Sequence, residues 1–319
     1  MKHYSPKNST KNLFYLFKLK IYFILFFILI YKNSHSFETH EIADGYYVHF
    51  GKQEDSNKEN KGDIANLGFI IGNKSIAVID TGGTPEIGEK LLQNIRTISN
   101  LPISHVIITH SHPDHFFGTE AFFNKNVKIV GHEKIERSLI NNFEFYKNLQ
   151  FNLIKQKNLR KAKLILPNEK IPTNTTKTFD LGKRKIKVKA WKSGHTDNDL
   201  SIYDEKTKFF WSEIIFINRI PSIRASIKGW KSNLEEISKM NIKKIIPGHG
   251  PVTSKEEALQ PMINYFDRLI NSVREFHKSN KTLKEAQKNI SKKNIEGWVL
   301  FEPYHSANIT KTFTELEWE

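Results

Sequence analysis

Six consecutive residues, His110-Ser111-His112-Pro113-Asp114-His115, carry three imidazoles and a carboxylate. Zinc binds neutral imidazole nitrogen and carboxylate oxygen at about 2.0 to 2.2 Å, so its ligands must converge from close quarters. Such density is the spacing of metal ligands rather than of core residues. Three further residues extend the set: His195 in Ser-Gly-His-Thr-Asp, His249 in Pro-Gly-His-Gly, and Glu213 after the apolar Phe209-Phe210-Trp211. The chain has no cysteine, which excludes thiolate ligands and a thiol nucleophile. The chemistry such a set predicts is metal-assisted hydrolysis, because zinc lowers the pKa of water toward ~7 and so makes hydroxide at neutral pH. Esters, thioesters, lactones and β-lactam amides offer a suitable carbonyl. Asp114, with Glu213, would hold the nucleophile and pass a proton to the leaving group.

Elements must bring these distant residues together. Apolar runs rich in Val, Ile and Phe predict strands at Gly45–Phe50, Leu67–Ile71, Ser75–Asp80, His105–Thr109, Val127–Val130, Lys185–Trp191, Leu200–Tyr203, Lys208–Trp211 and Lys243–Ile246. Helices are predicted at Pro85–Ile98, Pro113–Phe123, His132–Asn148, Gly229–Met240 and Lys255–Lys278. His110, His195, Glu213 and His249 then all leave strand ends, where ligands gather in sheets flanked by helices. The pattern fits an α+β, four-layer αββα sandwich. Residues 133–163 read as a basic, aromatic-containing helical insertion, either a lid or a cover, and the polar stretch Gln53 to Asp63 as a mobile loop. Trp230, Tyr304 and His305 are further pocket candidates, with Trp230, on a predicted helix face, better suited to the core and His305 suited to either.

The chain of 319 residues, 38% hydrophobic, is long enough for one large core. Residues 1–36 differ from the rest: six lysines, no acidic residue, and an apolar run from Ile21 to Tyr31. That is the layout of a secretory signal peptide, with Ser34 and Ser36 suited to cleavage before Phe37. An uncleaved signal would be the membrane attachment, and the mature domain, 37–319, is expected in the periplasm or outside the cell. The net charge of +15 loses those six lysines, only eight of the remaining basic residues are Arg, and no basic helix or aromatic-spaced basic surface points to nucleic acid.

The sequence resembles the metallo-β-lactamase superfamily through Asp80-Thr81-Gly82-Gly83, the segment His110 to His115, Gly194-His195-Thr196 and Gly248-His249-Gly250. It is similar more narrowly to the SoxH-like zinc hydrolases of quinoprotein relay systems, in Asp63 to Phe69, Arg219-Ile220-Pro221-Ser222, Ser226 to Trp230 and Glu315 to Glu319. The resemblance implies two zinc ions, one held by His110, His112 and His195, the other by Asp114, His115 and His249, with a bridging carboxylate at Glu213, where the family usually has Asp. It implies that Asp80 lies beneath the loop and orients the imidazoles, and that the substrate is a small molecule in a setting of periplasmic quinoprotein or sulfur-oxidation systems. Two rival readings exist. An iron-dependent sulfur dioxygenase on the same fold would use His110, His195 and Glu213, and a non-catalytic exported protein would hold metal for binding alone.

Overall fold

The computed structural model describes Met1, residues 37–290, Ile295 and residues 297–319. The expected signal peptide, but for Met1, lies outside the described residues. Among those residues no helix is long and apolar enough to cross a membrane.

Residues 39–319 form one compact unit around two mixed sheets. The first holds seven strands in sequence order: β1 His40–Ala43, β2 Tyr46–His49, β3 Leu67–Ile71, β4 Ile76–Ile79, β5 Ile103–Ile107, β6 Lys128–His132 and β7 Glu169–Ile171. Pairing is antiparallel from β1 to β4 and parallel from β4 to β7. The second sheet runs β12-β11-β10-β9-β8, formed by β8 Thr176–Asp180, β9 Lys185–Ala190, β10 Leu200–Asp204, β11 Phe209–Phe216 and β12 Lys244–His249. Only β11 and β12 are parallel there.

The two sheets share a core in which Val48, Ile79 and Ile107 of the first meet Val188, Ile202 and Trp211 of the second. The alternate residues of the first sheet, Phe69, Val78, Val106 and Ile129, are equally buried, as the two-residue period of a strand requires when both faces are covered. Helix α1, Pro85–Ile98, has Pro at its first turn, an N-cap at Thr84 that accepts from the Ile87 amide, and a buried stripe of Ile87, Leu91 and Ile95. The outer face of the second sheet, with Phe210 and Ile245, packs against Trp230 and Leu234 of α4, Ile227–Ser238, Met262 and Phe266 of α5, Lys255–Lys278, and Ile309 of a C-terminal helix. The result is the α+β sandwich expected from the sequence.

Several boundaries moved. The helix predicted over Pro113–Phe123 is a single α-turn, α2 Pro113–Phe116, followed by a 3-10 turn, Thr119–Phe122. Gly118 between them lies so close to Gly88 and to the Thr81 carbonyl that a side chain has no room. The helix predicted from His132 begins at Ile135 and runs to Ile154, because His132 closes β6. Strands β1, β7 and β8 and the helices Leu283–Asn289 and Phe301–Leu316 were not foreseen. The loop at 53–63 is tied down by hydrogen bonds: Lys52 N to Asp63 O, and Asn60 Nδ2 to Asp55 O and Glu54 Oε2.

Candidate metal centre

Strand β5 delivers Thr109 and His110 beside Asp80, the residue after β4. Asp80 adopts a left-handed backbone, φ 55°, a conformation that the short polar Asp tolerates better than most side chains. Its buried carboxylate thereby sits beneath the loop. Oδ1 accepts from the Thr109 amide at 2.8 Å, and Oδ2 accepts from the Thr109 hydroxyl at 2.7 Å and faces His115 Nδ1 at 2.8 Å. The expected orienting role of Asp80 has these contacts as its physical form.

The second nitrogens of the imidazoles settle which atoms face the site. His195 Nδ1 lies 2.9 Å from the Ser222 carbonyl, and His249 Nδ1 2.7 Å from the Ile64 carbonyl. A carbonyl only accepts, so each Nδ1 carries the proton and each Nε2 a lone pair. The Thr109 hydroxyl, having donated to Asp80, accepts from His110 Nδ1 at 3.2 Å, with the same consequence. Such anchors fix tautomer and ring angle in metal sites.

The freed nitrogens converge in two adjacent sets. His112 Nδ1 lies 2.9 Å from His110 Nε2 and 3.1 Å from His195 Nε2. Asp114 Oδ2 lies 3.2 Å from His115 Nε2 and 3.4 Å from His249 Nε2. The His110 and His115 rings, one from each set, are 4.3 Å apart between centroids. Tetrahedral ligands about 2.05 Å from one zinc stand ~3.3 Å from each other, so both sets have the spacing of a metal's coordination shell. Burial holds His110, His195 and His249 well below the ordinary imidazole pKa and His112 at about 4, so their nitrogens are neutral and able to coordinate. Burial alone would neutralise Asp114. The charge and hydrogen bond of His115, with the charges of His249 and His112, outweigh it and keep the carboxyl well below its usual range. Burial likewise opposes charge on His115, but Asp114, Glu213 and Asp80 around it raise its pKa well above the usual value. Four neutral imidazoles, a fifth at His115 that would release its Nε2 proton to a metal, and an ionised carboxylate are a donor set that zinc fits.

Glu213 stands elsewhere. Strand β11 continues to Phe216, so Glu213 lies within it and not after it. Trp211 Nε1 donates to its Oε1 at 2.6 Å, while Oε2 packs on Gly248, where any Cβ would collide with it. Oε2 is 3.6 Å from His115 Nδ1, the nitrogen bound to Asp80, so Glu213 groups with Asp80 behind His115. Burial, with the like charge of Asp80, pushes its pKa up. The bridging position expected from the sequence is therefore not where the carboxylate rests, because the Trp211 indole and the close passage of β12 hold it back. Among the described residues, His110, His195 and Glu213 form no common group. His249, expected past its strand, is the last residue of β12.

Residues 60–249, more than half of the chain, match the sequence family described as the metallo-beta-lactamase superfamily. The chain belongs to the metallo-β-lactamase superfamily. Among solved structures it is similar to a metallo-beta-lactamase from Pontibacter korlensis, at 20% identity and a TM-score of 0.58 over 72% of this chain and 98% of that one. It is also similar to a stereoselective inverting sec-alkylsulfatase from a Pseudomonas sp., at 18% identity and a TM-score of 0.69 over 88% of this chain and 50% of that one. A linear primary-alkylsulfatase from Pseudomonas sp. (strain ATCC 19151) is 32% identical over 71 residues, 22% of this chain and 13% of that enzyme. Identities of this order establish the fold. The relatives named are hydrolases, and the superfamily supplies a hydrolase-type fold with a metal-binding set.

Above the ligands this superfamily member has a cavity of about 300 Å³, lined at its floor by His112, Asp114, His195 and His249. One wall is helix α3, Ile135–Ile154, which contributes Tyr146, Leu149 and Leu153. With the 3-10 turn Lys157–Lys161 it accounts for the insertion expected at 133–163. The lining also includes Arg219 and Arg224, and Tyr304, another lining residue, donates to Asp55 at 3.0 Å. Trp230 is core: its indole donates to the Ile214 carbonyl at 2.9 Å and its ring supports His195 at 4.9 Å. His305 is buried with its Nδ1 3.2 Å from the Tyr265 hydroxyl, and does not line the cavity. Two positioning residues escaped the sequence reading. Asn198 accepts from the Ser111 amide and donates to its hydroxyl, and buried Asn66 donates to the Pro247 and Gly250 carbonyls that flank His249. Arg224 was missed too, although two of the eight arginines lie within six residues of each other.

Proposed function

We propose that the protein is an exported, zinc-dependent hydrolase that binds two metal ions, one through His110, His112 and His195 and the other through Asp114, His115 and His249. The observation that supports this reading is the anchoring of the second ring nitrogen of His110, His115, His195 and His249, which leaves their other nitrogens grouped with His112 and the ionised Asp114 in two sets. Zinc, when bound, lowers the pKa of water toward ~7 and polarises a carbonyl oxygen. Asp114, ionised and facing the cavity, is the group that can accept a proton from the attacking water and return it to the leaving group. Asp80, with Glu213 behind it, keeps His115 in the coordinating tautomer. No cysteine competes as nucleophile.

The substrates in this reading are esters, thioesters, lactones or lactams, and the alkylsulfatase relatives add sulfate esters. Export follows from the lysine-rich, apolar segment at 1–36, and a SoxH-like role beside periplasmic quinoprotein or sulfur-oxidising systems follows from the motifs quoted for that resemblance. The test is a hydrolysis panel of these five classes on protein stripped by chelator and then reloaded with zinc or with iron. Turnover that returns with zinc and does not depend on oxygen is expected. Oxygen uptake by the iron-loaded protein on a persulfide, with none of the five classes hydrolysed, would replace this reading with the dioxygenase, and no turnover of any substrate would leave the binding protein. Cell fractionation with N-terminal sequencing tests export, the expected first residue being Phe37.

A further inference from the structure

The 300 Å³ cavity over the metal ligands and a second cavity of about 500 Å³ share His112, Tyr146, Leu149 and Arg224, so they are two lobes of one groove. The walls of this groove differ in chemistry. On one side, Phe145, Leu149 and Leu153 stand at successive intervals of four residues on α3, exposed by 63%, 39% and 42%. Four-residue steps keep them on one face of the helix, as a stripe ~12 Å long at 1.5 Å per residue. The other face of α3 is already buried, through Ile135, Leu139, Phe143 and Ile154. The stripe is thus not the side that holds the helix in place.

The same groove is also lined by Arg219, buried, and Arg224, exposed. Three other arginines are paired with carboxylates: Arg137 with Asp197, Arg184 with Asp204 and Arg274 with Glu319. Among the described residues no carboxylate forms an ion pair with Arg219 or Arg224. Arg219 Nη1 touches His249 Nδ1 at 3.2 Å, and Asp114 and Asp55 attract it only at longer range. A buried guanidinium without a paired counter-anion, as at Arg219, is unfavourable unless the occupant of the cavity brings one, and the donor fork of either arginine matches a planar or tetrahedral oxyanion.

We propose that the groove takes an anionic amphiphile, its charged head held by Arg219 and Arg224 beside the metal ligands and its apolar chain laid along Phe145, Leu149 and Leu153. The proposal rests on the hydrolytic reading of the site and adds the substrate class to it.

Calorimetric binding to the metal-loaded full chain tests this with three non-hydrolysable probes: octane-1-sulfonate, which has head and chain, methanesulfonate, which has the head alone, and octyl methyl sulfone, which has the chain without charge. Octane-1-sulfonate is expected to bind about tenfold or more tighter than the sulfone, the effect of a charge-assisted contact. It should bind about a hundredfold tighter than methanesulfonate, since each buried methylene contributes a factor of a few. Arg224→Gln should weaken octane-1-sulfonate about tenfold and leave the sulfone unchanged. Leu149→Ser with Leu153→Ser should weaken octane-1-sulfonate and leave methanesulfonate unchanged. Equal affinity for octane-1-sulfonate and the sulfone, or unaltered affinity in Arg224→Gln, would overturn the proposal. Because the readout is binding and not turnover, a hydrolysis panel that fails leaves these ratios intact, and the two ideas fail separately.

Discussion

At the floor of the groove and beneath it, His110, His115, His195 and His249 each have a second nitrogen tied to a hydroxyl, a carboxylate or a carbonyl. On the wall formed by α3, Phe145, Leu149 and Leu153 face solvent and bind to nothing polar. The contrast separates two tasks. Metal chemistry needs atoms held in place before the metal arrives, which requires buried hydrogen bonds in a low-dielectric setting. Selection of a substrate needs only a surface of the right character, and such a surface can change without disturbing the fold. The floor should therefore be intolerant of substitution in both stability and metal binding, and the wall tolerant in both.

The largest expected effect is at Asp80. Asp80→Ala removes the acceptor of three buried groups, the Thr109 amide, the Thr109 hydroxyl and His115 Nδ1. A loss of about 3 kcal/mol or more in urea unfolding is expected. Asp80→Asn keeps the shape but not the charge and should weaken metal binding by ~10 to 100-fold in a competitive chelator titration. If both variants were as stable and as metal-rich as the parent, the floor would not be the rigid half of the comparison.

Gly248→Ala comes next. The added methyl would meet the Glu213 carboxylate, which is confined by Trp211, and a loss of about 1 to 3 kcal/mol is expected. In a Glu213→Ala background the same change should cost less, and a double-mutant cycle should return a coupling of at least ~0.5 kcal/mol. Strict additivity would mean that Glu213 does not rest on Gly248. Glu213→Gln is expected to be milder still, with metal affinity within about tenfold of the parent, since Glu213 stands behind His115 and Asp80 carries the direct bond. Loss of a whole metal ion per chain in this variant would move the carboxylate into the bridging place. The smallest effect belongs to the wall: Phe145→Ser or Leu153→Ser should shift unfolding by no more than ~0.5 kcal/mol.

The same contrast governs what could be read from the sequence. The ligands of the floor stood out because histidines are chemically distinctive and four of the ligating residues fall within six positions. Their partners did not. Ser222 and Ile64 act through backbone carbonyls, which no side chain advertises, and Asn66 and Asn198 are residue types that fit any loop. Strand β11 was cut short at Trp211 because Ser212 and Glu213 interrupt its apolar run, yet both are buried, and the Glu213 carboxylate is met by the indole two residues before it. Strand β8, Thr176–Asp180, shows no alternation because it is an edge strand with a single buried residue, Phe179. The terminal helix, Phe301–Leu316, holds three Thr and one Asn, residues that rank low in helix propensity. It persists because Asn308 accepts from the Ile223 amide and donates to the Pro221 carbonyl, so its polar residues are spent on tertiary contacts with the segment that carries Arg219 and Arg224. Wall residues such as Tyr146 and Arg224 gather only once α3 folds over the site, a distance in sequence that no local pattern spans.

Metal stoichiometry by plasma mass spectrometry, on zinc-loaded parent, His112→Ala and His249→Ala, bears most directly on the two ligand sets. Two zinc ions per chain are expected in the parent, with about one retained in each variant, because His112 and His249 belong to different sets. One ion or fewer in the parent at saturating zinc, or both ions lost from one variant and none from the other, would contradict two separate coordination shells on this floor.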